Sequence, residues 1–80
     1  MLEQLQTGER KVGVKECTKA VKAGRAAIAF VAEDADKNLI ETFVELCKIH
    51  EVETVLVPEM SEIGKCCGIA VGSAVAVRLK

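Results

Sequence analysis

Residues 26–32 read Ala26-Ala27-Ile28-Ala29-Phe30-Val31-Ala32, seven apolar residues with no polar residue between them. Strands inside an α/β sheet are covered by helices on both faces, so they are apolar at nearly every position. This stretch therefore predicts a strand that is buried on both faces inside an α/β sheet.

Helical periodicity precedes and follows this strand. In the segment before it, apolar residues recur at i, i+3, i+4 and i+7, lysines occupy the opposite stripe, and Gly24 supplies the C-terminal stop. In the segment after it, Asp34 or Asp36 can cap a helix that continues to about His50. The apolar positions are Cys17, Ala20, Val21 and Gly24 in the first helix, and Leu39, Ile40, Phe43, Val44 and Cys47 in the second.

The other elements continue this alternation of helix and strand. A second buried strand ends at Pro58, because proline has no backbone donor for the sheet. We expect one domain over residues 1–80, an α/β fold in which a three-layer α/β/α sandwich surrounds a mixed sheet of about four strands. The elements still to be named are a helix ending near Gly8, a strand at Lys11 and Val12, strands over 54–57 and 73–79, and a helix over 59–66.

Aromatic content and charge limit the kind of nucleic-acid site that this chain can carry. Only Phe30 and Phe43 are aromatic, so the chain lacks a platform for stacking successive bases of a single strand. The net charge is −1, but residues 1–25 carry +3, residues 26–59 carry −6 and residues 60–80 carry +2. Local field governs phosphate attraction within a Debye length of about 8 Å, so both terminal segments are candidate anion-binding surfaces. Chance unevenness of solvated surface charge is the alternative.

The cysteines do not form a recognisable metal or redox motif. Cys17, Cys47, Cys66 and Cys67 lack both the CxxC repeat and the paired spacing of a zinc site. Residues 1–8 lack the apolar stretch of a signal peptide, and no apolar run is long enough to span a membrane. We therefore expect a cytoplasmic protein without metal or cofactor, whose cysteines are reduced core residues.

The segment Gly13-Val14-Lys15-Glu16-Cys17-Thr18-Lys19 starts the first periodic helix. A carboxylate in the first turn is favoured by the helix dipole, and Glu16 can accept hydrogen bonds from the N1–H and N2–H₂ edge of guanine. Lys19, one turn further along, can donate to a base oxygen or a phosphate. The alternative is an ordinary amphipathic helix with an ion pair between Glu16 and Lys19, worth about 0.2–0.5 kcal/mol.

A second segment of interest, residues 63–71, contains regularly spaced glycines. Neither this segment nor residues 13–19 contains a catalytic centre. Gly64, Gly68 and Gly72 recur every four residues, which favours helix termination at Gly64 or Gly68, or close approach of the backbone to a ligand. Gly64-Lys65 is not a Walker A loop, because no Ser or Thr follows the lysine. The one histidine, His50, has no nucleophile and acid arranged around it, so we expect no enzyme.

Three ordered motifs give the chain a resemblance to a known family. Over nearly its whole length it resembles the kink-turn-binding ribosomal proteins of the L7Ae and L30e type, particularly their small bacterial ribosomal-protein-like members. The resemblance implies an α/β/α sandwich that binds kink-turns, which are RNA helices sharply bent at a bulge followed by tandem sheared G·A pairs. The motifs are Gly13-x-Lys15-Glu16-x-Thr18-Lys19-Ala20, Ala32-Glu33-Asp34-Ala35-Asp36 and Ile63-Gly64-Lys65-x-Cys67-Gly68-Ile69.

The same resemblance implies roles for residues of the first helix. By position, Glu16 reads a guanine of a G·A pair, and Lys19 contacts the neighbouring guanine or its phosphate. Gly13 lets the backbone approach the RNA at the helix N-terminus. Lys15 stands where archaeal and eukaryotic members usually have Asn, so a charged side chain replaces a neutral one in the implied RNA contact.

The implied contacts to the bulge come from two further segments. Ile69, Ala70 and Val71 form the loop that packs on the extruded nucleotide, and Asp36 with Ile40 lines the other side. Ala70 stands where an acidic side chain is common in archaeal members.

The resemblance implies a structured-RNA partner that contains a kink-turn, for example ribosomal RNA or a riboswitch, and neither DNA nor a membrane. We expect a monomeric, cytoplasmic, ribosome-associated protein that selects the bent form of the RNA. The alternative is a ribosome-associated protein-interaction or assembly module with weak RNA recognition, which the unusual Lys15 and Ala70 motivate.

Overall fold

Strands and helices alternate along the chain in the computed structural model. The structure describes residues 9–67 and 72–80, with the backbone alone for Cys66 and Cys67, so the helix predicted before Gly8 lies outside the described residues. The described elements are β1 (Arg10–Val12), α1 (Val14–Lys22), β2 (Ala26–Ala32), α2 (Lys37–Ile49), β3 (Glu53–Val57), α3 (Met60–Cys67) and β4 (Val75–Leu79).

The strands form one mixed sheet in the order β1-β4-β2-β3. β4 pairs antiparallel with both β1 and β2, whereas β2 and β3 are parallel. Phe30 of β2 lies opposite Val55 on one side and Ala76 on the other, and it is fully buried. The apolar run of residues 26–32 is therefore an inner strand, as predicted, and the predicted strand at Lys11 and Val12 is confirmed as β1.

Helices cover both faces of the sheet, which confirms the three-layer α/β/α arrangement. On one face, α1 and α2 pack their buried residues against alternate residues of β2 and β4. On the opposite face, α3 contributes Ile63 to a smaller cluster. The first cluster includes Cys17, Val21, Ala29, Val31, Phe43, Cys47, Val75 and Val77, and the second includes Ile28, Phe30, Ala32, Val57, Ile63 and Ala76.

Gly24 ends α1 as predicted, by way of a Schellman motif. Gly24 has φ +72°, and its N–H donates to the carbonyl of Val21 at 3.1 Å. The next N–H, that of Arg25, reaches back to the carbonyl of Ala20 at 3.0 Å. These two bonds satisfy carbonyls at the end of the helix and turn the chain into β2.

One sequence-based expectation is wrong, and one of two predicted alternatives is excluded. The stretch 54–57 was expected to be buried on both faces, but Leu56 is 56% exposed because β3 is an edge strand with β2 as its partner on one side. Helix termination at Gly64 does not occur, since Gly64 is buried inside α3. The alternative stop, Gly68, lies outside the described residues.

Cys17 and Cys47 are not joined in a disulfide and have no exposed surface, which confirms them as core residues. Burial raises the pKa of the Cys47 thiol above its ordinary value of 9.0, while a hydrogen bond with the Thr54 side chain acts in the opposite direction. No helix among the described residues is long and apolar enough to cross a membrane.

Candidate nucleic-acid interface

All three described helices begin at the same edge of the sheet. β1, β2 and β3 run in one direction, because β4 is antiparallel to both β1 and β2 while β2 is parallel to β3. α1, α2 and α3 each follow the C-terminal end of one of these strands. Helix N-termini carry partial positive charge, and at α2 and α3 the carboxylates of Asp36 and Asp34 accept from backbone N–H groups there.

Gly13 anchors the start of α1 to the neighbouring strand. Its N–H donates to the carbonyl of Val75 at 3.1 Å, and its carbonyl accepts from the N–H of Cys17 at 2.9 Å. The backbone has φ 96° and ψ 150°, a combination that residues with a Cβ rarely adopt. A Cβ placed on Gly13 would have no atom within 4 Å, so this stretch of backbone is open to a partner.

Lys15, Glu16 and Lys19 project from the first two turns of α1 and are exposed. Neither Glu16 nor Lys19 has an ion pair or a side-chain hydrogen bond with another described residue. The predicted alternative, an ion pair between them, is therefore not formed. A carboxylate and an ammonium group therefore lie on one helix face, and neither is used in a contact within residues 9–67 and 72–80.

Asp36 and Ile40 mark the start of α2 at the same edge. Asp36 is the N-cap, and its Oδ1 accepts from the N–H groups of Asn38 at 2.9 Å and Leu39 at 3.2 Å. The sequence left the cap open between Asp34 and Asp36, and the structure selects Asp36. Ile40 is half-buried against the first core cluster, so its side chain is only partly accessible to a ligand.

Ile69, Ala70 and Val71 lie outside the described residues. The chain that follows them is held at the same edge, where the N–H of Ser73 donates to the carbonyl of Met60 at 3.2 Å and its hydroxyl donates to that of Val75 at 2.7 Å. Two adjacent carbonyls of this segment, Ala74 and Val75, accept from Ala32 and Gly13 respectively. These bonds bring the start of α1, the end of β2 and the start of β4 together.

Glu16 and Lys19 line a shallow cleft together with two cations that the motifs did not include. Lys11 comes from β1 and Arg25 from the turn after α1. Lys11 and Arg25 lie at one cleft because β1 pairs with β4 and because the Schellman turn follows α1. The sequence motifs predict neither of these features. Within the described residues, no group of three or more His, Cys, Asp or Glu side chains could hold a metal ion.

Comparison with known proteins places this architecture among RNA-associated proteins. A family model described as "Ribosomal protein L7Ae/L30e/S12e/Gadd45 family" matches residues 2–80. An RNA-binding protein of Geobacillus sp. strain WCH70 is 41% identical over 70 residues, covering 88% of this chain and 85% of that protein. The large ribosomal subunit protein eL8 of Halobacterium salinarum is 41% identical over 71 residues, covering 88% of this chain and 59% of eL8. The solved structure of the Giardia lamblia 15.5kD RNA binding protein has a TM-score of 0.91 at 26% identity, covering 99% of this chain and 70% of that one.

Proposed function

The chain belongs to the ribosomal protein L7Ae/L30e/S12e/Gadd45 family, and from that premise we propose that it is a non-enzymatic RNA-binding protein that recognises and stabilises kink-turn RNA. Its similarity to proteins named as RNA-binding, over most of both chains, supports RNA as the ligand. Specificity for kink-turn RNA is the more detailed part of the proposal, and the argument for it comes from the residues of α1.

The observation that supports kink-turn recognition most directly is the exposed Glu16 beside Lys19, which has no ion pair or side-chain hydrogen bond with another described residue. An ionised carboxylate is an acceptor only, so it repels phosphate but can accept from the N1–H and N2–H₂ groups of guanine. In a sheared G·A pair these guanine groups are accessible to a protein side chain. Lys19 then supplies a donor for a base oxygen or a phosphate of the neighbouring nucleotide.

The mechanism is selection of a shape. An RNA with a bulge samples extended and bent forms, and a protein that binds only the bent form shifts the population toward it. Gly13, Lys15, Glu16 and Lys19 engage the G·A pairs, while the bulge nucleotide meets Asp36, Ile40 and the segment Ile69-Ala70-Val71. Such a protein acts on ribosomal RNA or a riboswitch as a cytoplasmic, ribosome-associated monomer.

A binding titration at fixed salt tests this proposal. The ligand is a kink-turn duplex whose ends carry a fluorescence donor and acceptor, and the matched control is a duplex with Watson–Crick pairs in place of the G·A pairs. We expect tight binding and an increase in energy transfer with the kink-turn alone. Equal, weak binding to both duplexes contradicts the proposal, since electrostatic attraction to phosphate does not depend on the G·A pairs.

A second candidate function, a protein-interaction or assembly module, is favoured by an apolar groove between α1 and α2. This groove has a volume of about 800 Å³, and Ile49 at its rim is 67% exposed. Co-sedimentation with purified ribosomal subunits separates the two functions. Loss of binding in Glu16→Ala but not in Ile49→Asp supports RNA recognition, and the reverse pattern supports the assembly module.

A further inference from the structure

We infer that the cleft beside α1 holds the phosphate backbone of the RNA stem that flanks the kink, with Lys11 and Arg25 as its phosphate-binding residues. This inference rests on the proposed function, because it places the stem relative to the G·A pairs that Glu16 reads. It predicts that recognition requires a stem of a certain length as well as the kink itself.

The cleft extends along most of α1. Its helical wall consists of Glu16, Lys19, Ala20 and Ala23, which follow each other at i, i+3, i+4 and i+7 and so share one face. Glu16 and Ala23 are seven residues apart, which is about 10 Å along a helix axis at a rise of roughly 1.5 Å per residue. The cleft is therefore long enough to run beside a few consecutive nucleotides of one RNA strand.

The shape of the cleft suits a backbone rather than a small molecule. Its volume is about 240 Å³, and the wall beyond Lys19 is formed by the small side chains of Ala20 and Ala23. Small side chains leave a shallow trough along the helix, which a sugar-phosphate chain can enter. Leu79 of β4 lines the cleft alongside the two additional cations, Lys11 and Arg25.

Both additional cations are attached to backbone that the fold holds in place. The carbonyl of Lys11 accepts a hydrogen bond from the Sγ of Cys17 at 3.4 Å, and Cys17 is completely buried in α1. The N–H of Arg25 donates to the carbonyl of Ala20 at 3.0 Å, and its carbonyl accepts from the N–H of Lys80 at 2.8 Å. A pre-organised backbone reduces the ordering cost of binding, because only the two side chains remain to be ordered.

The two ends of the cleft differ in charge. Three of its lining residues, Lys11, Lys19 and Arg25, are cationic, and the one acidic residue, Glu16, lies nearest the edge where the helices begin. Phosphate is therefore favoured beyond Glu16 and a base edge beside it. Arginine also binds phosphate in a bidentate manner, which suits Arg25 to the distal end.

Salt-dependent titrations of variants test this inference. We would compare the wild-type protein with Lys11→Gln, Arg25→Gln and the double variant, using the kink-turn duplex with its flanking stem either cut short or extended by one helical turn. Lys48→Gln is the matched control, because Lys48 is an exposed cation on α2 and its replacement changes the net charge equally. Thermal unfolding confirms that each variant is folded.

Each lost phosphate contact lowers the slope of log affinity against log salt by about 0.7 to 1. We expect that decrease in each single variant, roughly twice as much in the double variant, and a loss of the extra affinity that the wild-type protein gains from the long stem. The preference for the kink-turn over the Watson–Crick control should stay unchanged. Slopes equal to that of Lys48→Gln would overturn the inference.

The two proposals fail separately. If the wild-type protein binds the kink-turn and the Watson–Crick duplex equally, kink-turn recognition is wrong, but the slopes of the Lys11 and Arg25 variants still show whether the cleft contacts phosphates. If discrimination is intact while the long stem gives no advantage over the short one, the function stands and the stem-binding inference is wrong.

Discussion

The carboxylate of Asp34 accepts a hydrogen bond from the backbone N–H of Met60 at 2.8 Å, although the two residues are 26 positions apart. This bond joins the loop after β2 to the first residue of α3. The carbonyl of Met60 in turn accepts from the N–H of Ser73, and a Cβ on Gly72 would lie 3.0 Å from Met60. Met60 is therefore the point at which three segments of the candidate interface are joined.

Asp34→Ala is expected to destabilise the protein by about 1 kcal/mol, because it removes a side-chain acceptor from the N-terminus of α3. Denaturant unfolding at neutral pH measures this change. Glu33→Ala is the matched control, since Glu33 is also exposed and the hydrogen bond from its backbone N–H to the carbonyl of Val57 does not involve the side chain. Equal stability of the two variants would mean that the bond between Asp34 and Met60 contributes nothing.

Glu16→Ala is expected to weaken kink-turn binding by about 1–3 kcal/mol, the range for a good base contact. The sign of the effect is diagnostic, because removing an acidic side chain near RNA otherwise strengthens binding through reduced repulsion. Glu41→Ala provides the comparison, as Glu41 is an exposed acid on α2. Tighter RNA binding by both variants in the same titration would show that Glu16 does not read a base.

Lys19→Ala is expected to weaken binding by a similar amount and to lower its salt dependence if Lys19 contacts a phosphate. An unchanged salt slope with weakened binding would instead assign Lys19 to a base oxygen. If both Glu16→Ala and Lys19→Ala bind RNA with unchanged affinity while remaining folded, α1 is not part of the RNA interface.

The fold was predictable where the residue pattern depends on local environment alone. The unbroken apolar run over 26–32 has one stable location, an inner strand, and the i, i+3, i+4 spacing around Cys17 and Phe43 fixes which helix faces are buried. The position of a strand within the sheet depends on pairing between distant segments. For that reason Leu56 was expected to be buried, although β3 lies at the edge.

The candidate site was predictable where its residues are close in sequence. Gly13, Glu16 and Lys19 occupy one helix start, so their common location follows from helical geometry. Lys11 and Arg25 line the same cleft because β1 pairs with β4 and the chain turns at Gly24. No local sequence pattern predicts that these two residues lie close together. Whether the named residues bind RNA stays a prediction.

Gly13→Ala is expected to cost about 1–3 kcal/mol of stability for a purely conformational reason. The new methyl group would meet no atom within 4 Å, so the cost comes from the backbone at φ 96° and ψ 150°. Gly24, at φ +72° in the left-handed turn, is the comparison. Asparagine tolerates that turn but not the conformation of Gly13. We therefore expect Gly24→Asn to cost less than Gly24→Ala, and Gly13→Asn to cost as much as Gly13→Ala in thermal unfolding.

Cys47 is expected to make the protein less stable at alkaline pH. Burial raises the pKa of its thiol above 9.0 in the folded state, so the folded protein holds this proton more tightly than the unfolded chain does. The resulting stability is fully present below the unfolded pKa and is lost as pH rises through the folded one.

Cys47→Ala isolates this contribution from the lysines that titrate at higher pH. At neutral pH the variant should be less stable than the wild-type protein, because it leaves a small cavity in the first core cluster. The difference should narrow as the pH rises through about 8 to 10, where the unfolded wild-type thiol loses its proton. Parallel stability curves for the two proteins across this range, measured by denaturant unfolding, would show that the ionisation of Cys47 is not linked to folding.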